Sequence, residues 1–507
     1  MYFPPISCIM RPFDRNEGIT DMKKVFSFLI ALTLLCTLVG CGEKEEVAPV
    51  AAPVAEAAPN AGVIDLMGSS IGATTEAVSI SGTTATITAG GEYTLRGTLD
   101  NGQIVVNAAE EGARVLLHLD GVTMTNATEP CILVQQCDKL KLILDEGSAN
   151  VLTSGTEGEL VDAAKDASGG VIFSEDDLDF EGSGKLELRG YINNGVTCKD
   201  DLAVQGGEIT VIAANNGLRG SESVEIEGGK LTVTALGDGI KSTSAKKENK
   251  GYVSLSGGEV EINCGGDGIA AETQLLITGG SVRVTTTGAP EVSSAKALKG
   301  LTGVMISGGS FTLDTTDHCV RSGGDMEISG GSFSLRSTMG RGFSAKGLLH
   351  FSGQPQITVD AIEDGLYSER EITVEGGSFS IAAGEDGIHA GQSGSGQGIV
   401  TLNGGDILIS AYQDAIDAKV ALHLNGGNLL ACGKSKTVKL PSEQSSQNSI
   451  TCAIGGHTGS QLLITDVGGA TVGEMNAVYP FTSVLFSRAG LGRCQFSCDG
   501  ATVSEEP

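Results

Sequence analysis

Two stretches of the chain decide its fold: LAVQGGEITV at residues 202–211 and VEIEGGKLTV at residues 224–233. In each stretch, apolar residues alternate with polar ones on both sides of a pair of glycines. This alternation is typical of β-strands, because successive side chains of a strand point to opposite faces. Two adjacent glycines permit a sharp corner with positive φ, which other residues resist. Each stretch therefore predicts two short strands hinged at Gly-Gly.

The same pattern recurs through the middle of the chain at a nearly constant spacing. The first glycine of the pair stands at positions 206, 228, 257, 279, 308, 330, 353, 376, 404 and 426, so most intervals are 22 or 23 residues and the others 28 or 29. At one copy the second glycine is replaced by Gln354. A short regular period with occasional insertions indicates a solenoid, in which each repeat is one coil that stacks on the next.

We therefore predict an all-β fold, a right-handed parallel β-helix over residues 63–440 with coils of about 22 residues. A short third strand is expected in each coil, near sequences such as Asp238-Gly239-Ile240. The main rival is a β-propeller, whose blades need about 40 residues and four antiparallel strands. Residues 441–507 are predicted to cap the solenoid, since an open end would expose an unpaired strand edge.

The residues before the solenoid have the pattern of an export signal. Met22 precedes two lysines, residues 25–35 are almost entirely apolar, and Leu38-Val39-Gly40-Cys41 is similar to a bacterial lipobox. We expect residues 1–41 to be an over-extended start plus a lipoprotein signal peptide, with Cys41 as the lipidated residue. Residues 42–62, rich in Ala, Pro, Val and Glu, are expected to form a disordered tether. An ordinary secretory signal, with an incidental Cys41, is the alternative.

These features predict a protein on the extracellular face of the cell membrane, held there through a lipid anchor only. The formal net charge of −29 excludes a general nucleic-acid binder, because such a surface repels phosphate. Of the 12 cysteines, Cys8, Cys36 and Cys41 precede the folded region, which leaves an odd number and no CxxC pair. Neither a zinc site nor a full disulfide framework is indicated, although Cys494 and Cys498 could pair.

One column of the predicted solenoid is acidic. The position before the glycine of the third strand is filled in several repeats by aspartate: Asp238, Asp267, Asp364, Asp386 and Asp414. In stacked coils, neighbouring carboxylates would lie about 4.8 Å apart and repel each other unless a cation lies between them. Calcium fits such a column, because it accepts several oxygen ligands in loose geometry. Alternatively, Asp and Asn favour this turn because their side chains bond to the backbone.

A second acidic feature lies on two successive coils, at the pairs Asp176-Asp177 and Asp200-Asp201. Only one member of each pair can face outward from a strand, so each site would receive two carboxylates. The sequence therefore offers a second candidate calcium site, with a solvated corner that holds no metal as the alternative.

A third column lies two positions after the third-strand glycine and is expected to face outward beside the acidic one. Five of its residues are basic or aromatic: Arg219, Lys241, Arg321, Tyr367 and His389. Basic groups would bind the carboxylates of uronate sugars, and Tyr367 could pack on a sugar ring. We predict a shallow carbohydrate-binding face here, with an ordinary polar surface as the alternative.

Several phrases of the chain resemble a family of bacterial surface carbohydrate-binding β-helix proteins found chiefly in clostridia. The phrases are SEDDL at 174–178, YINNGV at 191–196, CKDDL at 198–202, GDGIKS at 237–242, KGYVSLSGG at 250–258 and GEDGIHA at 384–390. The resemblance covers roughly residues 76–500. It implies a polysaccharide-lyase-like β-helix that binds calcium and cell-wall polysaccharide, notably acidic sugars or cellulose-like glycans, without established cleavage.

Three functions follow as hypotheses. The first is non-catalytic, calcium-assisted binding of a polysaccharide at the cell surface. The second is a calcium-dependent polysaccharide lyase of the pectate type, in which Lys241, Arg341 or Lys346 would remove the C5 proton of a uronate. The third is a structural adhesin whose solenoid provides length.

Overall fold

The structure is a computed structural model and describes residues 60–156, 158, 169–289, 294–434 and 440–507. Among these residues no helix has the length and apolar character needed to cross a membrane. The predicted signal peptide, Cys41 and all but the last three residues of the predicted tether lie outside the described residues.

The first half of the described chain forms short strands with the following bounds: β1 (Ala61–Gly68), β2 (Ile71–Ala73), β3 (Val78–Ser81), β4 (Thr84–Ile87), β5 (Gly91–Leu99), β6 (Gln103–Asn107), β7 (Arg114–Asn126), β8 (Ile132–Gln136), β9 (Lys139–Leu144), β10 (Ala149–Ser154), β11 (Gly170–Ser174), β12 (Asp177–Gly182), β13 (Lys185–Gly190), β14 (Asn194–Cys198), β15 (Asp201–Val204), β16 (Glu208–Ala213), β17 (Leu218–Gly220), β18 (Ser223–Ile226), β19 (Lys230–Ala235), β20 (Ile240–Ser242), β21 (Tyr252–Leu255), β22 (Glu259–Cys264), β23 (Ile269–Ala271), β24 (Gln274–Ile277) and β25 (Ser281–Thr286). The second half continues with β26 (Leu298–Gly300), β27 (Gly303–Ile306), β28 (Ser310–Thr315), β29 (Val320–Ser322), β30 (Asp325–Ile328), β31 (Ser332–Ser337), β32 (Phe343–Ala345), β33 (Leu349–Phe351), β34 (Gln356–Ala361), β35 (Leu366–Ser368), β36 (Glu371–Val374), β37 (Ser378–Ala383), β38 (Ile388–Ala390), β39 (Ile399–Leu402), β40 (Asp406–Ala411), β41 (Ile416–Ala418), β42 (Ala421–Leu424), β43 (Asn428–Gly433), β44 (Ser449–Cys452), β45 (Gln461–Asp466), β46 (Thr471–Asn476), β47 (Ser483–Ser487), β48 (Cys494–Cys498) and β49 (Ala501–Glu505).

From β8 to β43, each strand pairs in parallel with the strand three places further along the chain. This produces a solenoid with three parallel faces. The first face runs through β9, β12, β15 and every third strand to β42, the second from β10 to β43, and the third from β8 to β41. Paired residues are 22 positions apart where Glu208 lies beside Lys230, and 29 apart where Lys230 lies beside Glu259. The predicted all-β fold and parallel solenoid are confirmed. The strands from β8 to β43 pair in parallel, unlike the antiparallel strands of a propeller blade.

Alternation along the strands builds the core. Val224 and Ile226 on β18, and Leu231 and Val233 on β19, are all buried. Phenylalanines from all three faces meet in the interior. Phe311 stacks on Phe333 at 4.5 Å between ring centroids, and edge contacts continue from Phe333 to Phe343, Phe351 and Phe379. Such contacts contribute about 0.5–1.5 kcal/mol per pair beyond simple burial.

The two glycines of the repeated pair are needed for different reasons. Gly229, the second of its pair, has a φ of +76°, a conformation that side chains with a Cβ disfavour. A Cβ on the first glycine, Gly228, would lie 2.7 Å from the backbone oxygen of Gln205 in the preceding coil. Where Gln354 replaces the second glycine, Gly353 itself takes the positive φ, at +62°.

The two ends of the solenoid depart from this regular pairing. Strand β1 begins at Ala61, two residues before the predicted start, because Ala61 already pairs in parallel with Glu92 of β5.

At the C-terminal end, β47 pairs antiparallel with β43. Strands β46, β45, β48 and β49 form a separate antiparallel sheet. A second buried cluster, which includes Cys432, Ile450 and Phe486, joins that sheet to the last coil.

The cysteines of the described residues do not form disulfides. All nine are free and buried, including Cys494 and Cys498, which lie on the same strand β48. Burial raises the pKa of each of these thiols, so they are core residues rather than reactive groups.

Candidate functional site

The column predicted to be acidic forms a ladder of side-chain-to-backbone hydrogen bonds between coils, which we call the corner ladder. Asn216 Oδ1 accepts a hydrogen bond from the backbone N–H of Asp238 at 3.0 Å, and Asp238 Oδ1 accepts one from that of Asp267 at 2.7 Å. Further along, Asp386 Oδ1 accepts from the N–H of Asp414 at 2.9 Å. These bonds satisfy backbone donors that would otherwise be buried without a partner. They explain why Asn and Asp recur at this position without a metal.

The remaining oxygen of several ladder carboxylates is bound by a basic side chain. Lys241 Nζ lies 2.7 Å from Asp238 Oδ2, and Lys299 Nζ lies 2.8 Å from Asp267 Oδ2. Burial alone would lower the pKa of Lys299, but the negative charge of Asp267 and its hydrogen bond raise it above its ordinary value. In this part of the chain, lysine therefore supplies the positive charge that the sequence assigned to calcium.

The residues predicted for the outward column of the third face lie in one row, with one further coil, that of Lys299, between Ala270 and Arg321. Arg219 pairs with Lys241, Lys241 with Ala270, and the row continues in steps of one coil through Lys299 to Arg321. It then passes through Ser344, Tyr367, His389 and Asp417. Four cations therefore occupy five successive positions of one face, with Ala270 between them; we call this stretch the cationic row.

An open cleft of about 460 Å³ lies on the cationic row. Arg219, Lys241 and Lys299 line it together with Leu236 and Ser294. Part of its lining is glycine: a Cβ added to Gly266 would lie only 2.4 Å from Asp238 Oδ1. The cleft thus combines three cations, two of the ladder carboxylates, an exposed leucine and hydroxyl groups, a mixture typical of ligand sites.

Two basic residues of this region are missing from the sequence-based columns. Lys299 occupies the outward column, and Lys296 occupies the corner ladder, where its backbone N–H donates to Asp267 Oδ1 at 2.9 Å. Ala297 stands where most coils carry the third-strand glycine, although Cys319 and Ala415 replace that glycine in two further coils. The triplet Leu298-Lys299-Gly300, which matches Leu218-Arg219-Gly220, could have identified the coil of Lys299.

Further along the same face, a histidine faces two ladder carboxylates. His389 Nδ1 lies 3.4 Å from Asp386 Oδ2 and 3.6 Å from Asp364 Oδ1. Atoms of all three side chains lie within 4.8 Å of one another, close enough to hold a metal ion. The structure therefore places His389, predicted as a sugar-binding residue, together with two predicted metal ligands; we call this group the His–Asp cluster.

Electrostatics in the His–Asp cluster favour an additional proton. Burial raises the pKa of Asp386 to about 7, despite a hydrogen bond from Asp414, and the charge of Asp364 adds to the rise. Burial would lower the pKa of His389, but its hydrogen bond to Asp364 and the nearby carboxylates raise it. Burial would likewise raise the pKa of Asp364, but bonds from His389 and Arg341 hold it below its ordinary value.

The neighbouring Tyr367 is enclosed by charged groups and only 8% exposed. The Arg341 guanidinium lies 3.9 Å from the Tyr367 ring centroid, and its Nε lies 2.7 Å from Asp364 Oδ2. On the other side, the ring of His389 meets that of Tyr367 edge-on at 5.3 Å. Tyr367 therefore lies in the predicted column, but it has little free ring surface on which a sugar could pack.

The second predicted calcium site is assembled in part. Carboxylate oxygens of Asp177, Asp200 and Asp201 lie within 4.8 Å of one another, and we call them the Asp triad. Asp176 lies outside this group, because its Oδ2 accepts a hydrogen bond from the backbone N–H of Cys137 at 2.9 Å. In the described parts of the chain, the Asp triad and the His–Asp cluster are the groups of three or more ligand side chains that are close enough for a metal.

Lysines also approach the Asp triad. Lys139 Nζ lies 3.6 Å from Asp177 Oδ2, and Lys250 Nζ lies 2.6 Å from Asp201 Oδ2. Even so, burial raises the pKa of Asp177 above its ordinary value although Lys139 opposes the rise. The triad is therefore only partly neutralised by its lysine neighbours.

Comparison with known proteins identifies the family of the chain. A family model described as "Carbohydrate-binding domain-containing protein" matches residues 81–340 and 335–474. A relative with the same description, from Acetivibrio thermocellus, is 35% identical over 193 residues, which cover 38% of this chain and 66% of the relative, just under two thirds of its length. A solved structure described as a polysaccharide lyase-like protein from C. thermocellum, in a gadolinium derivative, is 34% identical, with a TM-score of 0.42 over 45% of this chain and 92% of that one. Because the family model matches most of its length, the chain belongs to the family of carbohydrate-binding domain-containing proteins.

Proposed function

We propose that this protein binds an acidic polysaccharide along the third face, without cleaving it. The observation that carries the proposal is the cationic row, in which Arg219, Lys241, Lys299 and Arg321 stand in register on one face. A concentration of cations is unexpected in a chain with a formal net charge of −29. Together with the cleft on this row and the family of the chain, it favours a polymer of uronate sugars.

The cations of the row keep donors for a ligand even where they already bind a carboxylate. An ammonium group has three donors and a guanidinium has five N–H groups. Arg321 donates to Ser344 Oγ at 2.6 Å, and no carboxylate of the described residues lies within salt-bridge distance of it. Partial burial lowers the pKa of Arg321, although the charge of Glu369 opposes this. A sugar carboxylate would supply the missing counter-charge.

The geometry of the solenoid suits a chain molecule that lies parallel to its axis. Neighbouring parallel strands are about 4.8 Å apart, which is close to the length of one pyranose unit in a polysaccharide. One sugar would then lie over each coil of the cationic row, and the sugar over Ala270 would meet no cation. This arrangement predicts preference for a run of uronates over a single uronate.

Calcium is proposed at the Asp triad, whose donor set fits the ion. Three carboxylates from two successive coils supply only oxygen atoms, as calcium prefers. A bound calcium would neutralise the negative charge of the triad that Lys139 and Lys250 do not neutralise. The His–Asp cluster fits calcium less well, because His389 contributes a nitrogen. Asp238 and Asp267 of the corner ladder fit less well too, because each already holds a lysine.

The finer description of the fold and its location is also proposed. Parallel crossover connections are right-handed in nearly all proteins, so we propose a right-handed β-helix with a basic coil of about 22 residues, as the pairing of Glu208 with Lys230 supports. We propose that lipidation at Cys41 anchors the protein to the extracellular face of the membrane, with residues 42–59 as the tether.

Two of the three groups suggested as a lyase base, Lys241 and Arg341, support binding better than elimination. A general base must lose its own proton near neutral pH. Lys241 is held by Asp238. Burial would lower the pKa of Arg341, but the charge of Asp364 raises it, which keeps the guanidinium protonated.

The test is binding of hexagalacturonate to the purified protein, measured by isothermal titration calorimetry. We expect the double variant Lys241→Ala/Arg321→Ala to bind at least tenfold more weakly, because two charge-assisted contacts are lost. Lys230→Ala, which removes an exposed lysine from the second face, is the matched control and should bind normally. Equal affinity of the double variant and the control would refute the proposal.

Two further readouts separate the alternatives. Release of unsaturated uronate during incubation, followed by its ultraviolet absorbance, would establish the lyase instead. Failure to bind any glycan would favour the structural adhesin. Calcium should raise the melting temperature of the protein but not that of Asp200→Asn, if the ion lies at the Asp triad.

A further inference from the structure

A second cleft, of about 420 Å³, lies between the second face and the C-terminal antiparallel sheet. Strands β37 and β40 contribute Ser380 and Leu408, while β45 and β46 contribute Gln461, Glu474 and Asn476. It is remote from the cationic row in the fold, because it lies on a different face and at the C-terminal end of the solenoid. We call it the junction cleft.

The polar groups of the junction cleft differ in kind from those of the cationic row. Gln461 and Asn476 lie opposite each other on β45 and β46, and Glu474 is two positions before Asn476. None of these three exposed side chains makes a hydrogen bond or ion pair to another described residue, and no described lysine or arginine lines the cleft. Amides offer both donors and acceptors, and a carboxylate accepts from hydroxyls. Such a set suits a ligand rich in hydroxyl groups and repels an anionic one.

Apolar groups of the junction cleft suit the carbon faces of sugar rings. Leu408 is 40% exposed, and Val478, which also lines the cleft, is 48% exposed. Exposed apolar surface beside unsatisfied polar groups is typical of a ligand site.

The two walls of the junction cleft are fixed to each other. Ser410 Oγ accepts hydrogen bonds from the backbone N–H groups of Val478 and Tyr479, at 2.9 and 3.0 Å. The same hydroxyl thus binds the end of the β46 region to the second face. A site built on strands that are joined in this way holds its groups in place before a ligand arrives.

We propose that the junction cleft is a second carbohydrate site, which binds an uncharged oligosaccharide. The amides of Gln461 and Asn476 and the carboxylate of Glu474 bond to its hydroxyl groups, and Leu408 and Val478 pack on the carbon face of a ring. This site does not depend on the cationic row. The protein would therefore hold an acidic and a neutral glycan at the same time.

The experiment uses calorimetric titration of the purified protein with three neutral probes, cellohexaose, xylohexaose and mannohexaose, and with hexagalacturonate. We expect at least one neutral probe to bind, and Gln461→Ala/Asn476→Ala to weaken that binding at least tenfold. Gln444→Ala removes an exposed amide outside the cleft and should leave it unchanged. Both residues of the double variant are exposed, so its melting temperature should equal that of the parent protein.

The two carbohydrate sites give opposite patterns, so their failures are distinguishable. Gln461→Ala/Asn476→Ala should keep its affinity for hexagalacturonate, whereas Lys241→Ala/Arg321→Ala should lose that affinity and keep the neutral probe. The inference is overturned if none of the three neutral probes binds, if the amide variant binds the neutral probe as tightly as the parent, or if that variant loses hexagalacturonate to the same extent.

Discussion

Along the third face, the stretch from the cationic row to the His–Asp cluster uses the same position of the repeat for different purposes at its two ends. Near Asp238 and Asp267, the ladder carboxylates each hold a lysine, and the outward row is cationic. At the His–Asp cluster, Asp364 and Asp386 follow each other on adjacent coils, and the outward row ends in His389 and Asp417. The repeat therefore determines where a side chain lies, whereas the neighbours of that side chain determine its charge state and its partners.

The largest expected effect is on stability at the cationic end of the comparison. Asp267 is buried and binds the backbone N–H of Lys296 as well as Lys299 Nζ. We expect Asp267→Ala to lower the free energy of unfolding by about 3 kcal/mol, because a buried donor and an ammonium group both lose their partner. Urea denaturation measures this change.

Two further variants sharpen that result. Asp267→Asn keeps an oxygen for the backbone bond and should cost clearly less than Asp267→Ala. The exposed Asp360→Ala should change stability by no more than about 0.5 kcal/mol. If Asp267→Ala were as stable as Asp360→Ala, the corner ladder would not contribute to stability as described.

A smaller effect is expected on the affinity for hexagalacturonate, and it should differ between the cationic row and the His–Asp cluster. Arg321→Ala should weaken hexagalacturonate binding about fivefold to tenfold, or roughly 1 to 1.4 kcal/mol. His389→Ala should leave the affinity nearly unchanged, because His389 is already bound to Asp364, Asp386 and the Gly391 carbonyl. Equal losses for both variants, measured by calorimetry, would remove the distinction between the two ends.

A dependence of stability on pH is expected to arise at the His–Asp cluster. Because burial raises the pKa of Asp386 to about 7, the folded protein holds a proton there that the unfolded chain loses at lower pH, so ionisation costs stability. His389, whose folded pKa is also raised, contributes stability only while it is protonated. Asp386 therefore predicts that the free energy of unfolding falls between about pH 4 and pH 7, and His389 adds to the fall only above its ordinary pKa of 6.5.

Asp386→Asn tests this expectation, because it keeps an oxygen for the N–H of Asp414 and removes the ionisation. In the presence of a chelator, the fall in stability with pH should shrink by about 1 to 2 kcal/mol. Asp360→Asn is the control and should follow the parent protein. A pH profile of Asp386→Asn that matches the parent would mean that Asp386 is ionised throughout.

The sequence was sufficient for the solenoid because the signals that specify it are local. Paired glycines with alternating apolar residues, as around Gly228, define both strands and the corner between them. It did not identify the coil of Lys299, in which Ala297 replaces the glycine that marks the register in most coils and no pair of glycines lies between Gly279 and Gly308. It also left the antiparallel C-terminal sheet undescribed beyond its capping role, since those strands lack a repeat.

The sequence predicts which residues of the candidate site share a column, but not which groups their side chains bind. Stacking places Lys241, Tyr367 and His389 in one row, and the period is enough to show this. Other contacts depend on the rotamers of long side chains. Examples are the ion pairs of Asp238 and Asp267 with lysines and the contact of Arg341 with the ring of Tyr367. Similarly, the bond from Cys137 N–H that separates Asp176 from the Asp triad joins residues 39 positions apart. No local pattern carries that information.

The most direct test of acidic-glycan binding along the third face is a crystal structure of the protein with hexagalacturonate. We predict one sugar over each of several successive coils, with carboxylates bound by Arg219, Lys241, Lys299 and Arg321. A hexagalacturonate bound on another face, or across the coils with its carboxylates away from these four side chains, would contradict it.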